Sequence, residues 1–144
     1  MAQPAACAAQ SVGTLIDTSV FVAADRGHVD LTKLISDAGD EDTAMAAITA
    51  SELLEGVHAI RSAVGRARST HTVEGWLQGI RVISFDLDIA RTHALLSAQL
   101  RATGTMIGAH DLIIAATAVR LHYRIATRDL RSFPKIRGLH VVRW

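Results

Sequence analysis

Four acidic residues sit where a chain of this kind could do chemistry. Asp17 follows the short apolar run Thr14-Leu15-Ile16, Glu52 follows Ala44 to Ile48, and Asp129 follows Arg124-Ile125-Ala126. Asp111 opens a run of Leu112, Ile113, Ile114, Ala115, Ala116, Ala118 and Val119 that is apolar nearly all round, as in a helix buried on both sides. An acid at the start of a helix is commonly an N-cap, and Thr49 with Glu52 three residues on has the form of a capping box. Ser, Thr and Asn cap about as well as Asp, so capping alone does not select a carboxylate each time. Two carboxylates about 4 Å apart repel by roughly 4 kcal/mol at an effective dielectric near 20. Four converging acids therefore take up protons or a cation. Oxygen-only ligation points to Mg²⁺, or Mn²⁺, rather than zinc. The seven histidines show no His-Glu-x-x-His spacing, and His110 beside Asp111 reads as a surface or capping residue.

The elements that must position these acids alternate. Strands are expected at Thr14–Ile16, Ala44–Ile48, Arg81–Phe85, Arg124–Ala126 and Leu139–Val142. Helices are expected after Asp17, from Asp30 to Gly39, after Thr49, from Arg66 to Gln78, from Asp86 to about Thr103, and from Asp111. This rhythm implies an α/β fold, a mainly parallel sheet with helices on both faces joined by right-handed crossovers. In such a sheet every strand-to-helix turn lies on one rim, where ligands bind, so the four acids can meet there.

At 144 residues the chain suits one domain, expected over 14–144, behind a disordered tail over 1–13 rich in Ala and Gln. Aromatics are only 4% of residues, so Ala, Val, Ile and Leu must build the core. A mean hydropathy of +0.25 predicts surplus apolar surface, and hence a partner or a dimer interface. The stripe Leu53, Leu54, Val57, Ile60 and Val64 is the expected groove. The lone Cys7 excludes an internal disulfide and a Cys-based zinc site; with no secretory signal or membrane span, a cytoplasmic protein is expected. The net charge of +1 advertises no nucleic-acid field, but Arg61, Arg66 and Arg68, and Arg124, Arg128, Arg131, Lys135 and Arg137, form two basic clusters suited to phosphate contacts.

Four stretches together resemble the PIN domain, and more narrowly the VapC-type toxins of bacterial toxin–antitoxin pairs. They are Leu-Ile-Asp-Thr-Ser-Val-Phe from Leu15, Thr-Ala-Ser-Glu-Leu-Leu-Glu-Gly from Thr49, His-Asp-Leu-Ile-Ile-Ala-Ala-Thr-Ala from His110, and Ala-Thr-Arg-Asp-Leu-Arg-Ser-Phe-Pro-Lys-Ile from Ala126. By this resemblance Asp17, Glu52, Asp111 and Asp129 match the acidic quartet, and Thr127 its hydroxyl-bearing neighbour. Many relatives carry Asn at the last acidic position, where this chain keeps Asp. The resemblance implies a three-layer α/β/α fold and a Mg²⁺-dependent endoribonuclease, inhibited by a cognate antitoxin and commonly dimeric. Asp17 and Asp111 are then expected to hold the principal ion, Asp129 to support it or a second one, and Glu52 to orient or deprotonate the attacking water. A DNA- or structure-specific PIN nuclease and a non-catalytic RNA- or partner-binding module are the alternatives. A haloacid-dehalogenase-like phosphatase would want Asp at Ser19 and a lysine in mid-chain, and no lysine lies between Lys33 and Lys135.

Overall fold

A computed structural model describes residues 11–144. Five strands alternate with six helices: β1 (Gly13–Ile16), α1 (Thr18–Asp25), α2 (Leu31–Asp37), β2 (Asp42–Ala46), α3 (Ala47–His58), α4 (Ala63–Gly79), β3 (Arg81–Ile83), α5 (Leu87–Ala102), α6 (Ala109–Leu121), β4 (Tyr123–Thr127) and β5 (Val141–Arg143). Every strand pair is parallel, in the order β3-β2-β1-β4-β5. The three-layer α/β/α reading therefore holds.

Burial explains the layers. The central strand β1 is buried at all four residues, as strands covered on both faces are. Its side chains alternate, Leu15 joining a core with Ile89, Leu96 and Ile114 of α5 and α6, and Ile16 joining Phe21, Met45, Leu53 and Val57 on the opposite face. Chain order runs outward from β1 to β3, then returns to place β4 against β1. Connections thus leave β1 and β4 in opposite directions, opening a crevice at their carboxyl ends.

Several boundaries differ from expectation. Of the tail expected over 1–13, residues 1–10 lie outside the described residues, whereas Gly13 already belongs to β1 and the Val12 amide donates to the His122 carbonyl at 3.1 Å. Without a Cβ at Gly13, the Tyr123 ring can lie against that backbone, since a Cβ there would fall 2.6 Å from it. The Tyr123 hydroxyl donates to Asp42, which Arg81 also engages. Strand β2 stops at Ala46 because β3, its outer neighbour, ends opposite it at Ile83; with no further strand to bond, Ala47 and Ile48 start α3 instead. Ala46 is the N-cap, with no side-chain bond, so the capping box of Thr49 and Glu52 does not form. Thr49 is instead fully buried, its hydroxyl without a hydrogen-bond partner.

The apolar stripe is also divided. Leu53 and Val57 are core residues, Leu54 packs against the same core while staying half-buried, Ile60 falls beyond the helix, and Val64 stands 74% exposed on α4. No helix among the described residues is long and apolar enough to cross a membrane.

The orphan hydroxyl yields a test. Thr49→Val keeps the shape and removes an unsatisfied buried group, a change that should stabilise the protein by about 1 kcal/mol. Thermal unfolding should shift upward by roughly 2–4 °C; a fall would mean the hydroxyl has a partner.

Candidate active site

The Asp17 amide bonds the Ala126 carbonyl at 2.9 Å, extending the β1–β4 ladder to the rim. Asp17 is thereby fixed at the mouth of the crevice, 5% exposed. Its Oδ2 accepts from the Ser19 amide at 3.4 Å, the Ser19 hydroxyl at 2.7 Å and the Thr127 hydroxyl at 2.9 Å. All three bonds fall on one oxygen. Oδ1 carries none, and it is not among the fully buried unpartnered atoms, so it opens to the crevice. Burial pushes the Asp17 carboxyl above the ordinary carboxylate range, the hydroxyls of Ser19 and Thr127 draw it back, and the charge of Asp111 pushes it up again.

Asp111 is the third residue of α6, not its cap; Gly108 holds that position without a side-chain bond. The Asp111 carboxylate has no hydrogen-bond partner among the described residues and sits in the first turn, where the helix dipole favours an anion. Glu52, from α3, reaches the same rim. Its Oε1 accepts from the Thr18 hydroxyl at 2.9 Å, and its Oε2 lies 3.6 Å from His110 Nδ1. Each contact is thus a chain neighbour of one of the other acids, Asp17 or Asp111.

Asp129 is placed differently. The Thr127 hydroxyl receives the Asp129 amide at 3.0 Å, joining this residue to the Asp17 network. The carboxylate, however, is taken by Arg131, whose Nε lies 2.8 Å from Oδ1 and Nη2 2.6 Å from Oδ2. That guanidinium holds the Asp129 carboxyl down at about 2. Asp129 keeps its charge, as expected, but spends it on Arg131.

Sequence reasoning overlooked two features. Ser19 is a hub, bonding Asp17, Thr127 at 3.2 Å and the Arg128 amide at 2.9 Å; only its place in Asp-Thr-Ser hinted at this. Arg131 was read as a phosphate contact, whereas a basic residue two positions from an acid in a tight turn is placed to fold back on it. The second basic cluster is also not one surface. Arg124 pairs with Glu41 at 2.7 Å and Thr14 at 2.8 Å at the opposite ends of the strands, and Arg128 donates to the Trp144 carbonyl at 2.9 Å.

Among the described residues no three His, Cys, Asp or Glu side chains stand together as a finished cation cage. The donor chemistry nonetheless fits Mg²⁺ or Mn²⁺. Magnesium usually keeps several waters and binds through one or two carboxylates, and Asp17 Oδ1 with Asp111 offers that number.

The two perturbed acids predict opposite responses in metal-free protein. Ionised Asp17 costs stability above its raised folded-state pKa, and that cost fades as pH falls through it toward the ordinary 3.8. Asp17→Asn, which still caps, should therefore melt higher than wild type at pH 7, with the gain shrinking on acidification. Asp129 contributes stability above its ordinary pKa of 3.8 that is lost as pH falls through about 2. Its side chain is 34% exposed and that of Arg131 88%, so Asp129→Asn should cost under about 1 kcal/mol at pH 7. Thermal unfolding between pH 7 and pH 3 checks both; a lower melting point for Asp17→Asn at pH 7 would contradict the desolvation argument.

Known proteins resemble this chain in sequence and fold. The chain matches the PIN domain family over residues 14–139. Ribonuclease VapC1 of Rickettsia felis is 31% identical over 131 residues, 91% of this chain and 96% of that protein. The solved structure of VapBC2 from Rickettsia felis bound to a DNA fragment from their promoter shares the fold, with a TM-score of 0.81 at 23% identity over 91% of this chain and 98% of that one. VapBC-5 of Mycobacterium tuberculosis, a member of the VapBC family of toxin–antitoxin systems, aligns with a TM-score of 0.72 at 26% identity over 92% of this chain and 99% of that one. Similarity along nearly the whole length, over a rim that carries the four acids, makes this chain a member of the PIN domain family, on its VapC-type branch.

Proposed function

We propose that this protein is a Mg²⁺-dependent endoribonuclease, the toxin of a toxin–antitoxin pair. The observation that carries the reading is Asp17, a buried carboxylate with one oxygen fully hydrogen-bonded and the other open toward the crevice beside Asp111. A carboxylate held in that state at neutral pH favours a positive partner. Its relative from Rickettsia felis is a ribonuclease.

Asp17 and Asp111 would hold the cation, and Ser19 and Thr127 fix the Asp17 rotamer through Oδ2. The ion supplies positive charge against the phosphate and the leaving oxygen and lowers the pKa of water. Glu52, steadied by Thr18, orients the attacking water and accepts its proton. Asp129, whose carboxylate is bonded to Arg131, would be a further ligand to such an ion.

An antitoxin has a place to bind beside these acids. A hollow of about 190 Å³ between α1, α3 and α4 is lined by Phe21, Leu53, Val57, Ile60 and Trp76, and it reaches Thr18 and Glu52. An amphipathic antitoxin helix seated there would follow the helix-in-groove mode and end at the acids. We further propose that the half-buried Leu54, with the exposed residues around it on α3, forms a homodimer contact.

Asp111→Asn is the decisive variant. Because Asp111 caps nothing, its amide should leave the metal-free fold intact while lowering Mg²⁺-dependent RNA cleavage on the order of 10²-fold or more, the scale of losing one preorganised charge-stabilising group. The rise in melting temperature that Mg²⁺ or Mn²⁺ gives the wild type should shrink with it. Near wild-type cleavage by this variant, or cleavage by the wild type in EDTA, would overturn the reading.

A further inference from the structure

Two adjoining hollows leave the acid rim on the side away from the proposed antitoxin groove. The first, about 460 Å³, begins at Leu112, the residue after Asp111, and runs past Met106 to Leu100. The second, about 570 Å³, shares Leu100 and continues to Lys135 and Arg137. Lys135 ties them together, its Nζ donating to the Met106 carbonyl at 3.3 Å. Their floor is apolar and solvent-facing, Met106 being 86% exposed. Their charge has one sign: Arg101 lines the first hollow, Lys135 and Arg137 the second, and no Asp or Glu lines either. Arg101 and Arg137 have neither a salt bridge nor a side-chain hydrogen bond among the described residues, so both remain available to an anion. In a chain of net charge +1 this separation of sign is local.

Resting on the ribonuclease reading above, we infer that this double groove holds the flanking single strand of the RNA, its phosphates on Arg101, Lys135 and Arg137 and its bases over Leu100, Met106 and Leu112. Cationic grooves that track the backbone hold single strands without sequence readout, commonly with aromatic side chains under the bases. With no aromatic side chain in the groove, phosphate contacts dominate the binding, which makes it salt-dependent and tolerant of sequence. The surface meets the substrate on one side of the acids while the antitoxin groove lies on the other.

The test is binding of fluorescein-labelled single-stranded RNA, about four or about sixteen nucleotides long, the span of single-strand site sizes, to the full chain in EDTA at several salt concentrations. The double variant Lys135→Gln with Arg137→Gln is compared with wild type after melting curves establish that both are folded. For the long RNA, the slope of log affinity against log salt should become shallower by about 1.4, roughly 0.7 for each cation lost. The short RNA should bind alike to both proteins, and in Mg²⁺ both should cut it at the same rate. Met106→Asp, which puts a negative charge on the floor, should weaken the long RNA while sparing the short one. Unchanged salt slopes would overturn the inference, as would equal losses for short and long RNA. So would a result in which the double variant loses self-association or antitoxin binding but keeps the wild-type salt slope, because the groove would then belong to a protein. If the wild type binds long RNA with the predicted slope but cuts none, the groove stands and the nuclease reading falls.

Discussion

A single desolvated carboxylate organises this molecule. Asp17 ends the central strand, and its amide continues the β1–β4 ladder while its side chain must live almost without water. Such a group is costly unless it is hydrogen-bonded or paired. Here the protein satisfies one oxygen with three donors from Ser19 and Thr127 and leaves the other open to the crevice. The hydroxyl of Thr127 belongs to β4, so the arrangement exists only because β4 returns to lie against β1. The strand order that opens the crevice thus also supplies the donors that make the buried acid tolerable.

The remaining acids are managed by different means. Glu52 is steadied by the Thr18 hydroxyl and lies beside the His110 imidazole. Asp129 is neutralised by a two-pronged guanidinium. Asp111 has no hydrogen-bond partner among the described residues and relies on the first turn of α6. Among the four, Asp17 and Asp111 present open oxygens, whereas both oxygens of Asp129 face Arg131. That pair is largely solvated, so it weighs little beside the burial of Asp17.

The same rim separates two kinds of surface. On the α1, α3 and α4 side the hollow is built from core-forming residues such as Phe21, Val57 and Trp76, which suits an apolar helix face. On the α5 and α6 side the floor is apolar but the edges are cationic and free of carboxylates. Under the proposed function these are the inhibitor side and the substrate side, and their separation would keep the substrate from displacing the inhibitor.

Much of this was legible in the residues alone. Hydrophobic runs punctuated by Gly39 and Gly104, and caps such as Asp30 and Asp86, set out the strand-helix alternation, because local periodicity and capping report short-range physics. The acids at the ends of those runs, and the stretches around them, identified the family. The local pattern failed where a long-range partner decided the outcome. Strand β2 ended at Ala46 and not at Ile48 because its neighbour β3 ended there, which cancelled the capping box and buried Thr49. Leu53 and Val64 share a stripe in sequence but part company in space, one in the core and the other 74% exposed. Arg124 and Arg131 belong to one basic cluster in the chain, yet a strand of 3.3 Å per residue carries them to opposite ends of the sheet, where Glu41 and Asp129 claim them. Residue type and spacing determined which groups could do chemistry; only the packing of β4 against β1 decided how Asp17 is held with one oxygen bonded and the other free, because Thr127, which bonds it, is distant in sequence.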